Sequence, residues 1–167
     1  LESPEAYVEY INKPTKEGEP QAFRDGRLIH LLSLEPHRVN ELTLIDSTKG
    51  SKAYKLAVVE KPPQTVYTNA EYNRCKGVAD AVLNNKDFSR LVKEAEFEVP
   101  EIGLYNGFPF RGKADILLAG VVVDLKTTSD ISRFEESALL YNYDLQAALY
   151  LELFGAFEFN YVVVDKK

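Results

Sequence analysis

The chain has 167 residues, 45% of them hydrophobic, a formal net charge of −6 and a single cysteine, Cys75. That length and apolar content suit one domain with an ordinary core, and the acidic balance excludes a nonspecific basic coat for nucleic acid while leaving local basic patches open. One cysteine permits no internal disulfide and no four-cysteine metal or iron–sulfur site, and no apolar run approaches the ~20 residues that a membrane span requires.

From the N-terminus, Pro4 to Ile11 reads as a short helix and Asn12 to Pro20 as a loop. A helix follows from about Gln21 to Leu34, stopped by Glu35-Pro36. Its Leu28, Leu31 and Leu32 cover one side, and Gly26, Arg27, His30 and Ser33 the other. Leu42 to Asp46 suits a strand, and Lys49 to Lys61 a helix whose four lysines read as a solvated face. Pro62-Pro63 interrupts the chain. Thr68, with Glu71 three residues on, forms the capping box of a helix through about Leu83, and a shorter helix spans Phe88 to Lys93. Glu94 to Val99 alternates charged and apolar residues and is the first strand of the main sheet. Tyr105-Asn106-Gly107 is a turn, Phe108 to Leu118 and Val121 to Thr127 are strands, Phe134 to Phe154 is a helix stopped by Gly155, and Phe157 to Asp165 is a closing strand. The expected class is α/β, one domain over residues 1–167. Residues 1–90 are its mainly helical part, and 94–167 hold the core in the order helix, three strands, helix, strand. With no signal peptide, a soluble intracellular protein is the expectation. The start without Met and the end just after a run of valines suggest part of a longer gene product.

The stretch Arg111 to Asp130, RGKADILLAGVVVDLKTTSD, concentrates the chemistry. Side chains of a strand alternate between faces, so Asp124, Lys126 and Thr128 share one face. If Ala119-Gly120 is a two-residue hairpin loop, Leu118 pairs with Val121 and Asp115 falls opposite Asp124; a three-residue loop would shift that register. Facing carboxylates with Cβ atoms roughly 5 Å apart repel unless a cation lies between them. A hard divalent metal with oxygen ligands is the natural occupant. A salt-bridged surface hairpin is the plainer alternative, but Val121-Val122-Val123 belongs to a strand covered on both faces.

These residues resemble the PD-(D/E)xK nuclease superfamily, with Asp115 as the first acid and Asp124 and Lys126 as the second acid and the lysine. The longer string GKADI, VVVDLKTTSD and YDLQAALY is similar to the RecB-type branch, and most of all to the exonuclease VIII-like enzymes of phages and prophages. The resemblance implies a restriction-endonuclease-like core: a mixed central sheet flanked by helices, in the order α-β-β-β-α-β, with additional N-terminal helices. It implies a metal-dependent exodeoxyribonuclease with Asp115, Asp124, Lys126 and Gln146 in the chemistry, and Mg²⁺ or Mn²⁺ held by His30, Asp115, Asp124, the Leu125 carbonyl and a third acid. Parity cannot choose among Glu94, Glu96 and Glu98 for that acid; the resemblance favours Glu96. His37 lacks comparable support.

On the last helix, Tyr143, Gln146 and Tyr150 share a narrow arc, with Leu145, Ala148, Leu149 and Leu153 on the other side. Gln followed four residues later by Tyr resembles the RecB-type motif, which implies DNA contacts from Tyr143, Gln146 and Tyr150. Arg111 and Lys113 share Asp115's face by parity and suit phosphate. Thr127, Thr128 and Ser129 suit phosphate or a helix cap. The implied partners are linear duplex DNA ends, a single-strand annealing recombinase and further copies in a ring, with no membrane. A structure-selective or site-specific endonuclease, and a DNA-binding module without cleavage, are the alternatives.

Overall fold

A computed structural model describes residues 19–166. The expected helix at Pro4 to Ile11 lies outside them. Among the described residues, four strands form the main sheet in the order β3-β4-β5-β6: β3 is Glu96–Tyr105, β4 Phe108–Leu118, β5 Val121–Thr128 and β6 Glu158–Asp165. The first three are antiparallel, and β6 runs parallel to β5, so the sheet is mixed as expected. A parallel partner requires a crossover, here supplied by α5, Phe134–Leu140, and α6, Tyr143–Phe154.

The two-residue hairpin is present. Ala119 and Gly120 both have positive φ, 35° and 85°, as a primed turn demands, and Leu118 pairs with Val121. Pairs Leu117–Val122 and Ile116–Val123 follow; the ladder ends there, and counting one step further sets Asp115 across from Asp124. Val122 and Val123 are both fully buried, so β5 is covered on both faces. One face presents Ile116, Val123 and Leu125 to a core completed by Leu34, Val82 and Phe88. The other presents Asp124 and Lys126 to α6.

The N-terminal part comprises α1, Gln21–Leu34, a 3-10 turn at Pro36–Glu41, strand β1, Thr43–Ile45, α2, Lys52–Glu60, strand β2, Val66–Thr68, α3, Asn69–Asn84, and α4, Lys86–Leu91. The capping box forms as read, Thr68 Oγ1 accepting from Glu71 N and the Glu71 carboxylate accepting from Thr68 N. Strand β1 falls within the strand expected at Leu42 to Asp46 and pairs in parallel with β2, which the sequence reading missed because three residues carry too little periodicity. Beneath it the Arg24 guanidinium is buried, donating to the Val66 carbonyl at 2.6 Å and lying 3.5 Å from Glu71. Lys49 reaches the same carboxylate at 2.8 Å. Burial pushes the Glu71 carboxyl up, but the hydrogen bonds from Lys49 and the Thr68 backbone win and hold it down at about 2.

Three readings are corrected. The last helix is not continuous: Asn142, with φ 52° and ψ 49° in the left-handed region, separates α5 from α6, and asparagine tolerates that conformation better than most residues. On α6, Leu145 and Ala148 are exposed rather than packed inward. On α1, Ser33 is buried and Ile29 joins Leu28 and Leu32 in the core, while Leu31 lines the open side.

Candidate active site

The sheet's polar face, α1 and α6 enclose an open cleft of about 960 Å³. His30, Lys113, Asp115, Asp124, Leu125, Lys126, Thr127, Thr128, Ser129, Tyr143, Gln146 and Tyr150 all line it. Arg111 does not; it is exposed, across from Ile102 on the outer part of the hairpin.

The first acid is fixed by its neighbours. Asp115 Oδ2 accepts from Leu125 N–H at 2.8 Å, so the two strands are linked there by a side chain. The same oxygen lies 3.5 Å from His30 Nδ1, which α1 delivers from across the cleft. Burial pushes the His30 imidazole down, yet Asp115, Asp124 and a backbone hydrogen bond with Leu125 outweigh it and raise its pKa above the ordinary 6.5. This histidine lies in the field of two carboxylates, away from the leucine core.

Asp124 is 5% exposed. Its Oδ1 accepts from Gln146 Nε2 at 2.7 Å, and its Oδ2 touches Lys126 Nζ at 2.8 Å. Lys126 donates in turn to Gln146 Oε1 at 3.0 Å. Carboxylate, amine and amide thus close a triangle. The ammonium also stands 4.7 Å from the Tyr143 ring centre and 5.7 Å from that of Tyr161, which pairs with Asp124 across β5 and β6. Burial first, then the Asp115 charge, raises the Asp124 carboxyl above its ordinary value, with Lys126 and Gln146 pulling against them.

The third acid in this cluster is Glu98. Glu96 is exposed and sits across from Leu117, outside the cluster. Glu98 lies across from Asp115 in the same register, but its φ of 54° removes it from the ladder and turns it into the left-handed region. Such a conformation in a residue other than glycine costs of order 1–3 kcal/mol and marks a site held by its surroundings. Strand parity assumes extended backbone throughout, so it could not separate Glu98 from Glu96. Ligand atoms of His30, Glu98 and Asp115 lie within 4.8 Å of one another, and Lys113 Nζ forms an ion pair with Glu98.

The donor set fits a divalent cation. Asp124 Oδ2 is buried and meets the Lys126 ammonium at 2.8 Å, a contact that occupies one of the oxygen's two lone pairs. An acceptor of that kind beside three clustered ligand groups has unused capacity for a cation.

Thr127 faces α1, its Oγ1 3.4 Å from where a Cβ on Gly26 would lie. Thr128 Oγ1 donates to the Asp130 carbonyl and accepts from Asp130 N–H, so of the two roles open to it this structure shows the turn. Tyr150 is anchored to β4, its hydroxyl accepting from Lys113 N–H at 3.4 Å and donating to Lys113 O at 3.3 Å. The sequence reading missed Tyr161 and Tyr141. Tyr161 is identified only by the parallel register of β6, and Tyr141 only by the break at Asn142.

Residues 1–163 match the family model described as PDDEXK-like domain of unknown function (DUF3799), and the chain belongs to that family. The fold is similar, at TM-score 0.64 and 17% identity, to a crystal structure from Eubacterium rectale of a protein called a putative exonuclease; the similarity covers 95% of this chain and 59% of that one. No curated protein matches the chain. The family model makes this a PDDEXK-like domain, and the likeness to the E. rectale structure shows that the two share a fold. Among the described residues, no helix is long and apolar enough to cross a membrane.

Proposed function

We propose that this chain is a metal-dependent deoxyribonuclease that hydrolyses phosphodiester bonds at linear duplex ends, an exonuclease resecting breaks for homologous recombination. The observation that carries the chemistry is the Asp124–Lys126–Gln146 triangle beside the His30, Glu98 and Asp115 cluster. Support for the exonuclease reading comes from the E. rectale relative's name and from the resemblance to exonuclease VIII-like enzymes. A single-strand annealing protein as partner and a ring of copies rest on that resemblance alone.

His30, Glu98, Asp115, Asp124 and the Leu125 carbonyl are the groups to hold Mg²⁺ or Mn²⁺. When bound, such an ion supplies Lewis-acid stabilisation of charge on the phosphoryl oxygens and lowers the pKa of water. The chain's own contribution is positional. Lys126 has three donors and no acceptor, so an ammonium held by Asp124 and Gln146 directs a donor toward the attacking water and balances charge as the phosphorane-like state forms. Gln146 fixes both partners, and the tyrosine rings restrict the lysine's rotamers. Tyr150 and Lys113 lie along the cleft where the phosphate backbone would run.

The test is cleavage of end-labelled linear duplex and closed circular DNA of the same sequence, in Mg²⁺ and in excess chelator. Loss of the linear substrate alone, abolished by chelator, is expected. Cleavage of the closed circle identifies an endonuclease instead, and full activity in chelator removes the metal from the mechanism.

A further inference from the structure

Tyr141 is 63% exposed, yet it lines the cleft. It is presented there by the break between α5 and α6: its N–H donates to the Ser137 carbonyl at 2.9 Å, and the next residue, Asn142, turns the chain left-handed. One side of its ring is backed by Tyr143, centre to centre 6.0 Å with an interplanar angle of 29°. Tyr143 is itself braced by Phe134 at 5.9 Å and Tyr161 at 5.5 Å, and it lies against Lys126. A mostly exposed aromatic face, stiffened from behind and two contacts from the proposed catalytic amine, has no evident packing role.

We infer that Tyr141 is a stacking platform for an unpaired nucleobase of the DNA strand entering the cleft, so that the site takes a strand end with an exposed base rather than a fully paired one. This rests on the nuclease reading above. The physical basis is that every base offers a flat π face, and base–aromatic stacking is tolerant of sequence. Inside a duplex both faces of a base are already covered by its neighbours. A base in a single-stranded overhang has faces to spare. At about 3.4 Å per stacked nucleotide, the base would lie within about three nucleotides of the phosphate at Lys126.

The experiment measures binding by fluorescence anisotropy in Ca²⁺, and cleavage in Mg²⁺, on blunt duplex and on duplexes with short 3′ or 5′ overhangs. In each overhang an abasic site replaces one base at a time. For the natural chain, one abasic position is expected to weaken binding roughly 5- to 150-fold, the range of a single base stack. Tyr141→Ala should weaken binding to the intact overhang by a similar factor and should no longer distinguish abasic from intact; Tyr141→Trp should restore both. Blunt duplex should be affected least. An undiminished abasic penalty in Tyr141→Ala, or wild-type overhang binding by that variant, overturns the proposal. Equal losses on blunt and overhang substrates overturn its restriction to unpaired bases. DNA cleaved by the natural chain with no abasic sensitivity sinks the platform and leaves the nuclease standing, whereas no binding or cleavage of any DNA sinks both.

Discussion

Gln146 and Asp124 are joined across the cleft by a 2.7 Å hydrogen bond from Nε2 to Oδ1, and the other end of the same amide accepts from Lys126. An amide can satisfy a carboxylate and an ammonium at once because it carries both a donor and an acceptor. Gln146→Ala removes both contacts from a side chain that is only half buried. Turnover on linear duplex should fall about 10- to 100-fold, as for other groups that orient a site, with a loss of stability no larger than the one hydrogen bond to buried Asp124, about 1–3 kcal/mol. A large loss of thermal stability would make Gln146 a packing residue instead.

His30 is 3.5 Å from Asp115 and within the ligand cluster. His30→Ala should weaken Mn²⁺ binding by a similar factor of about 10 to 100, read by titration calorimetry, and activity should fall with it. An unchanged Mn²⁺ isotherm would return His30 to a structural role.

Glu71 gives a pH prediction remote from the cleft. Its carboxyl is depressed from 4.5 to about 2, so its contribution is fully present above pH 4.5 and is lost as pH falls toward 2. The amount at stake is on the order of 3 kcal/mol. Glu71→Gln should therefore be less stable at pH 7 and should show a flatter fall in stability between pH 4.5 and 2. Parallel acid-unfolding curves for the two proteins would contradict this.

How far the sequence led depended on whether a residue's direction follows from regular backbone. Asp115, Asp124 and Lys126 were legible because Ala119-Gly120 makes an ordinary primed turn and β5 alternates without interruption. The capping box at Thr68 was legible because its two residues sit at fixed spacing. Glu98 was not singled out, since one left-handed residue breaks the alternation that parity relies on. The split at Asn142 escaped for a similar reason: the helical pattern runs through it, and only the backbone angle reveals it. Tyr161 required the register between β5 and β6, a tertiary fact with no local signature. The family string YDLQAALY pointed to Gln146 directly, but its double contact needed the fold.

Glu98 and Glu96 offer a paired test on one strand. Glu98→Gln should weaken divalent metal binding and cleavage, because it neutralises a carboxylate 11% exposed within the His30 and Asp115 cluster. Glu96→Gln, exposed across from Leu117, should leave both within about twofold, in keeping with the small effects of exposed charges. The reverse order of the two effects would reinstate Glu96 as the third acid.

Lys126→Ala separates chemistry from binding. Protonated lysine offers a metal no lone pair, so its loss leaves His30, Glu98, Asp115 and Asp124 able to hold a cation. The contact it gives up, 2.8 Å to Asp124 Oδ2, is with a buried carboxylate, and breaking one side of a buried pair costs about 3–5 kcal/mol when nothing replaces it. Melting temperature should therefore fall in chelator and recover in Mn²⁺, with metal affinity unchanged or tighter, since a competing positive charge has gone. DNA binding should persist. The hydrolytic step should be lost, because an interaction made in the transition state appears in turnover rather than in affinity. Single-turnover cleavage and anisotropy, run side by side on the same linear duplex, measure the two quantities. Wild-type single-turnover rates in Lys126→Ala would mean that the amine is not part of the reaction and that the triangle with Asp124 and Gln146 serves only to hold the strands and α6 together.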